Sequence, residues 1–167
     1  YKNLSTIMFV NPEVAGVGFN EQQAREEGIA YRMAKISYKY VNRAIAKRNS
    51  DGFFKLLVTD DEEMRILGMR VVGEGASAAI QGVSLLISMN KSVRDLVACI
   101  HPHPSMTEGI LACARMLLGK SIMKPEVFKS HMSCYRVSKE GRVSDIKVIA
   151  STKAKDSAKP TSSTKLV

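Results

Sequence analysis

Two apolar segments, residues 53–59 and 64–72, flank four consecutive acidic residues at 60–63, and they constrain the fold more than any other feature of the sequence. Apolar strands on both sides of a short polar turn predict an antiparallel hairpin. The sequence Asn-Ser-Asp-Gly at 49–52 predicts a turn just before the first of these strands. An uncharged apolar stretch at 76–89 follows the second strand and predicts a buried helix.

The rest of the pattern also has strands before helices. It predicts extended segments at 5–11, 14–19 and 30–39 and a helix at 21–27 capped by Asn20. Later in the chain it predicts a helix from the capping box Ser92–Asp95 to Cys99 and a helix over 106–118 ended by Gly119. The segments 127–137 and 143–150 are predicted to be strand or irregular structure. This order predicts an α+β domain, an antiparallel β-sheet with helices packed on one face.

Composition and charge divide the chain. We expect a domain at 1–119, a C-terminal extension at 120–150 and a disordered tail at 151–167, which is rich in Ser, Thr, Lys and Ala. Of the net charge of +9, the first 119 residues supply only +2, from 14 basic and 12 acidic side chains. The basicity belongs to the end of the chain and lacks an aromatic stacking platform, so we expect no specific nucleic-acid partner. The longest apolar stretch is too short and too polar to span a bilayer, so no membrane partner is expected either.

The three cysteines, Cys99, Cys113 and Cys134, form no C-x-x-C pair. Their odd number favours buried thiols in a reducing compartment, cytoplasmic or in an organelle matrix, over a disulfide framework. The chain begins at Tyr1 without an initiator methionine. We therefore expect a piece of a longer protein whose N-terminal address is lost.

The segment HPHPSMTE, residues 101–108, carries the most chemistry. Two prolines make its backbone rigid, and a His-Pro bond is able to adopt the cis form. If a helix begins after Ser105, Glu108 points back toward the loop. Its carboxylate then accepts a hydrogen bond from one imidazole nitrogen, fixes the tautomer and raises the basicity of the other nitrogen. Such an imidazole beside a thiol shuttles its proton and stabilises the thiolate.

Plainer interpretations stay open for these residues. Ser105-x-x-Glu108 is itself a capping box, and spacing alone favours that role for Glu108. No set of Cys or carboxylate residues completes a zinc shell around the His-x-His pair, so no metal site is expected. Gly73-x-Gly75-x-x-Ala78 has the spacing of a dinucleotide fingerprint. Since no second parallel strand ending in an acidic residue follows, a tight strand-to-helix junction is the better interpretation.

Three segments together resemble the dimerisation domain of the pyridine nucleotide–disulfide oxidoreductases. FVNPEVAGVGFNEQQAREEGI resembles its opening, DGFFKLLVTDDEEMRILGMRVVGEGASAAIQ its central hairpin and helix, and HPHPSMTEGI its His-x-His-Pro-Thr-x-x-Glu signature. The resemblance covers roughly residues 5–119, and the doubled histidine points toward the dihydrolipoamide dehydrogenase branch. Ser105 stands for the usual threonine and Pro102 for a small residue, while the extension after Lys120 departs from the family's ending.

The resemblance implies a C-terminal interface domain of a homodimeric disulfide reductase. His103 would be the acid–base group and Glu108 its orienting carboxylate, both acting in the partner subunit's site. The backbone of His103 and Pro104 would lie near that subunit's FAD. FAD and NAD(P) would bind to upstream domains of the same protein, and none is expected on this fragment, which would be inactive alone.

Two further expectations concern association. The apolar faces at 76–89 and 106–118 exceed what so small a domain is expected to bury, which favours a dimer contact. The alternative function is a non-catalytic adaptor of the same fold, whose basic C-terminal tail binds anionic partners.

Overall fold

Seven antiparallel strands form a single sheet in the computed structural model, which describes residues 3–146. The sheet order is β1-β2-β5-β4-β3-β6-β7. The strands are β1 (Thr6–Met8), β2 (Val14–Gly18), β3 (Tyr31–Ser37), β4 (Phe53–Thr59), β5 (Ile66–Val72), β6 (Met132–Val137) and β7 (Val143–Asp145), and the helices are α1 (Glu21–Glu26), α2 (Asn42–Ala46), α3 (Ala76–Ser88), α4 (Val93–Ala98) and α5 (Glu108–Leu117). The predicted α+β class is confirmed.

The main core lies between the sheet and the helices α3 and α5. Alternate residues of a strand face opposite sides of a sheet, so Ala34 and Ile36 of β3 point into this core. Tyr31 and Met33 point to the other side, where Ala24 of α1 packs against them. The helices that carry most of the packing therefore share one face, and α1 is a small cover on the other.

The predicted elements are present with shifted ends. β1 is shorter than the predicted strand at 5–11, β5 begins two residues late at Ile66, and α5 begins at Glu108 rather than at residue 106. The segment after β3 holds a 3-10 helix (Tyr38–Tyr40) and α2, which the sequence pattern did not predict. Val41, at the start of α2, makes no side-chain cap hydrogen bond, so the usual start signal is missing.

The segment after residue 119 joins the same sheet. β6 pairs with β3 along its length, from Tyr31 opposite Val137 to Ile36 opposite Met132, and β7 pairs with β6. The division at residue 119 stays a prediction. The predicted tail at 151–167 lies outside the described residues, and so does part of the basic segment 120–167 on which the adaptor alternative depends. Between residues 3 and 146, no helix combines the length and apolar character that a membrane crossing requires.

The two apolar helices differ in what they leave exposed. The predicted surplus of apolar surface does not come from the 106–118 helix, because the fold itself buries Ile110, Leu111, Ala114 and Leu117. α3 does keep such a surface, where Leu85 is 57% exposed and Met89, just past its end, is 56% exposed. Of these two helices, α3 is therefore the one that leaves large apolar side chains exposed to another molecule.

Candidate functional site

The loop between α4 and α5 carries both histidines of the HPHPSMTE segment. α4 begins with a complete capping box, in which Ser92 and Asp95 bond to each other's backbone N–H groups. α5 begins at Glu108 after Thr107, whose side chain makes no cap hydrogen bond. The loop crosses a cis His103–Pro104 bond and exposes residues 102–104 to solvent. A short segment between two packed helices therefore presents His103 outward.

His103 and Glu108 are in direct contact. Nδ1 of His103 lies 2.8 Å from Oε1 of Glu108, and the side chains are 63% and 25% exposed. A carboxylate accepts hydrogen bonds, so Nδ1 carries the proton. In the neutral ring Nε2 then has a free lone pair, and this atom is the one available to take up a proton.

The second oxygen of Glu108 is also engaged. The backbone N–H of Ser105 donates to Oε2 at 2.9 Å. This contact is one half of the capping box that spacing alone favours, but the Ser105 hydroxyl bonds to the hydroxyl of Thr107 at 3.1 Å instead of completing it. Glu108 therefore links the loop backbone to the imidazole of His103 and does more than cap a helix.

Opposing effects act on the Glu108 carboxyl. Burial favours its neutral form, but the hydrogen bond from His103 and that from the Ser105 N–H, helped by the nearby imidazole charges, hold the pKa of Glu108 below its usual value. Glu108 is thus a carboxylate at neutral pH. It therefore serves as the hydrogen-bond acceptor for the Nδ1–H of His103.

Close packing fixes the first turn of α5, and sequence reasoning missed it. A Cβ on Gly109 would lie 2.3 Å from Cδ2 of Phe54 and 3.1 Å from Cγ2 of Val41. Only glycine lets the start of the helix approach β4 this closely. The signal in the sequence was the glycine directly after Glu108, at the start of a helix with a broad apolar face.

A cavity of about 150 Å³ lies beside Glu108, on the same face of α5 as Leu111, Ala112 and Arg115. Its opposite walls are residues 40–42 and the first part of the extension, residues 121–123. Tyr40 also packs against Phe128 and His131, with ring centroids 5.2 Å and 5.5 Å apart. The extension therefore folds back over the helix that supplies Glu108.

The other candidate motifs do not form a site. Gly73 and Gly75 join β5 to α3 within an antiparallel sheet, and a Cβ on Gly73 would meet the Tyr38 ring at 2.4 Å. Tight packing explains Gly73, whereas Gly75 has room around it and adopts a positive φ of 77° that favours glycine. The expectation of buried thiols is right for Cys113 and Cys134 and wrong for Cys99, which is exposed at the end of α4. Within residues 3–146, no three His, Cys, Asp or Glu side chains are grouped to hold a metal ion.

Known proteins resemble this chain along most of its length. The pyridine nucleotide-disulphide oxidoreductase dimerisation domain matches residues 4–113. Dihydrolipoyl dehydrogenase of Staphylococcus aureus is 35% identical over 122 residues, covering 73% of this chain and 26% of that protein. Mercuric reductase of Lysinibacillus sphaericus is 37% identical over 118 residues, covering 71% and 21%.

Solved structures agree in fold. The HOCl-induced flavoprotein disulfide reductase of Escherichia coli superposes with a TM-score of 0.66 and 25% identity, over 70% of this chain and 27% of that one. The chain thus spans about a quarter of the length of the relatives it matches.

Proposed function

This chain belongs to the pyridine nucleotide-disulphide oxidoreductase family as its dimerisation domain, and we propose that it is the C-terminal interface domain of an FAD-dependent, NAD(P)-linked disulfide reductase of the dihydrolipoamide dehydrogenase type. Relatives named dihydrolipoyl dehydrogenase, at 35% identity, support this assignment. Because this chain covers only 26% of those relatives, the nucleotide-binding domains would lie elsewhere in the same protein.

In this proposal His103 is the acid–base group for thiol–disulfide exchange. A substrate thiol gives its proton to Nε2, which leaves a thiolate and an imidazolium. The Glu108 carboxylate on Nδ1 stabilises that imidazolium and keeps the ring from turning. In the reverse direction Nε2–H returns the proton to a thiolate that leaves a broken disulfide.

The proposed site lies across a two-fold interface. The outward face of α3 carries Ala78, Gly82 and Leu85, and Met89 continues the same helical stripe just past the helix end; all four are exposed. α3 has no charged residue, which is unusual for a helix face in water and suits contact with a second copy. We infer a homodimer in which this stripe meets its symmetry mate.

The residues at the tip of the loop fit a role beside a flavin held by the partner. His103 and Pro104 are exposed and project from the domain, as a group inserted into another chain's site must. Their backbone would lie near the isoalloxazine ring. When bound, FAD supplies electron transfer between the nicotinamide and the redox disulfide, and His103 supplies only proton transfer.

The single observation that carries the proposal is the 2.8 Å contact that leaves Nε2 of the exposed His103 free. Replacing this ring in the full-length enzyme by H103Q should lower kcat for the disulfide or dithiol substrate by about 100-fold or more. E108Q should lower it less, by about tenfold, because the ring remains and only its orientation and charge stabilisation weaken.

H131F provides the control, since His131 lies outside the 101–108 segment, its ring packs against Tyr40, and Phe preserves that aromatic contact. It should leave turnover unchanged. Equal turnover of H103Q and the wild-type enzyme, with flavin bound in both, would remove His103 from the mechanism.

A further inference from the structure

The loop that presents His103 lacks backbone support. Within residues 3–146, no backbone N–H or C=O of residues 100–105 bonds to another backbone group. Side-chain hydrogen bonds hold this segment instead, on one side through Ser105 and Glu108. The direction of the His103 ring therefore depends on a few side-chain contacts, including one made by the other histidine of the segment.

His101 ties the loop to α4. Its Nε2 lies 3.1 Å from the carbonyl oxygen of Leu96, and the ring is half-buried. A carbonyl only accepts, so Nε2 of His101 must carry the proton. Leu96 lies in the last turn of α4, where carbonyls lack helical partners, so this bond satisfies a group that would otherwise need water.

The anchor point itself is rigid. The Leu96 side chain is 4% exposed in the core, and α4 is held by its capping box and by the bond from the Val93 N–H to the Met64 carbonyl at 3.0 Å. His101 thus connects a fixed helix to the loop. Between it and His103 stands only Pro102, whose φ angle the ring restricts.

We propose that His101 is a positioning residue, which holds the His103 loop against α4 so that the free Nε2 of His103 keeps its direction toward the reacting thiol. The inference rests on the function proposed above. His103 is then fixed from two sides, by the His101–Leu96 bond before it and by the Glu108 carboxylate after it. The two histidines of the segment thus have different roles. His103 accepts and returns a proton at Nε2, whereas His101 keeps its Nε2 proton in the hydrogen bond to Leu96.

The test compares two substitutions at His101 in the full-length enzyme. H101F keeps an aromatic ring but has no donor, and it should lower kcat about tenfold while KM for the disulfide substrate stays unchanged. H101Q carries an amide nitrogen near the position of Nε2, so it should restore kcat to within about twofold of wild type.

A second readout does not depend on turnover. Hydrogen–deuterium exchange followed by mass spectrometry reports the peptide that contains the Ser105 N–H, which Glu108 protects. H101F should exchange faster in this peptide than wild type, and H101Q should not. The melting temperature and the exchange of α3 should be unchanged in both variants, which separates a displaced loop from a misfolded domain.

H103Q in the same assay separates the two claims. Loss of turnover in H103Q together with wild-type kcat and wild-type exchange in H101F would overturn the positioning role and leave the proposed function standing. Equal loss in H101F and H101Q would also overturn it, because the donor would then not matter. Full turnover in H103Q would instead reject the proposed function.

Discussion

Both oxygens of Glu108 carry hydrogen bonds, one from the Nδ1–H of His103 and one from the Ser105 N–H. The sequence identified this pair of residues, because a carboxylate five positions after a loop histidine reaches it if a helix starts between them. It did not decide between a helix cap and a ring partner. Those two roles use different oxygens of the same side chain, and spacing does not distinguish them.

The lowered pKa of Glu108 gives a pH prediction. A carboxyl whose pKa is lower in the folded protein contributes stability above its unfolded value of about 4.3, and this contribution is lost as the pH falls through the folded value. E108Q should therefore be less stable than wild type at pH 6, and the difference should shrink below about pH 4. Denaturant unfolding of both proteins at about pH 6 and below about pH 4 measures the difference between their free energies of unfolding. A difference that grows on acidification would contradict the argument.

The local hydrophobic pattern of the sequence predicted most helices and strands. It did not predict how strands far apart in the sequence pair with each other. The hairpin β4–β5 was predicted because both strands and their acidic turn are contiguous in the chain. The pairing of β6 with β3 joins segments that lie far apart in the sequence, such as Tyr31 and Val137, and no short-range signal encodes it. The 3-10 helix and α2 were missed partly because the start of α2 lacks a capping side chain.

Asp60 is one of the side chains that connect the late strand β6 to the earlier part of the chain. It follows β4, its side chain is 7% exposed, and it accepts hydrogen bonds from Arg32 of β3 at 2.7 Å and Arg136 of β6 at 2.7 Å. D60N should cost about 2 kcal/mol, because two guanidinium groups lose their charged partner.

The loss should be greatest at the β3–β6 pair, which hydrogen exchange of residues 132–137 detects. E140Q is the matched control, since Glu140 contacts Ser138 at the surface and should matter little. Unchanged exchange of β6 in D60N would show that backbone pairing alone holds that strand.

At the scale of the whole molecule, the uncharged stripe on α3 is the surface that a second copy should cover. L85K places a charge at its centre and should shift the full-length enzyme from dimer to monomer in sedimentation velocity, because an unpaired ammonium in an apolar contact is costly. I45K is the control, since Ile45 is 52% exposed on α2 and should tolerate the charge. A dimeric L85K, or a monomeric I45K, would place the interface elsewhere.

The family and fold were accessible from sequence because three motifs occur in the right order. The assembly was harder to predict. Both apolar helices looked like interface candidates, and only the packed structure shows that the core buries most apolar side chains of α5 but leaves the outward face of α3 exposed. The central claim, that one subunit's His103 serves the other's disulfide, concerns two chains at once.

Subunit complementation tests that claim most directly. Heterodimers are prepared from full-length subunits carrying H103Q and subunits in which the redox cysteines that the proposed function requires upstream are replaced by serine. If His103 acts across the interface, the serine subunit supplies its histidine to the intact disulfide of the H103Q subunit, and the heterodimer should recover about half of the wild-type turnover. Turnover no higher than that of the two inactive parent homodimers would contradict the account.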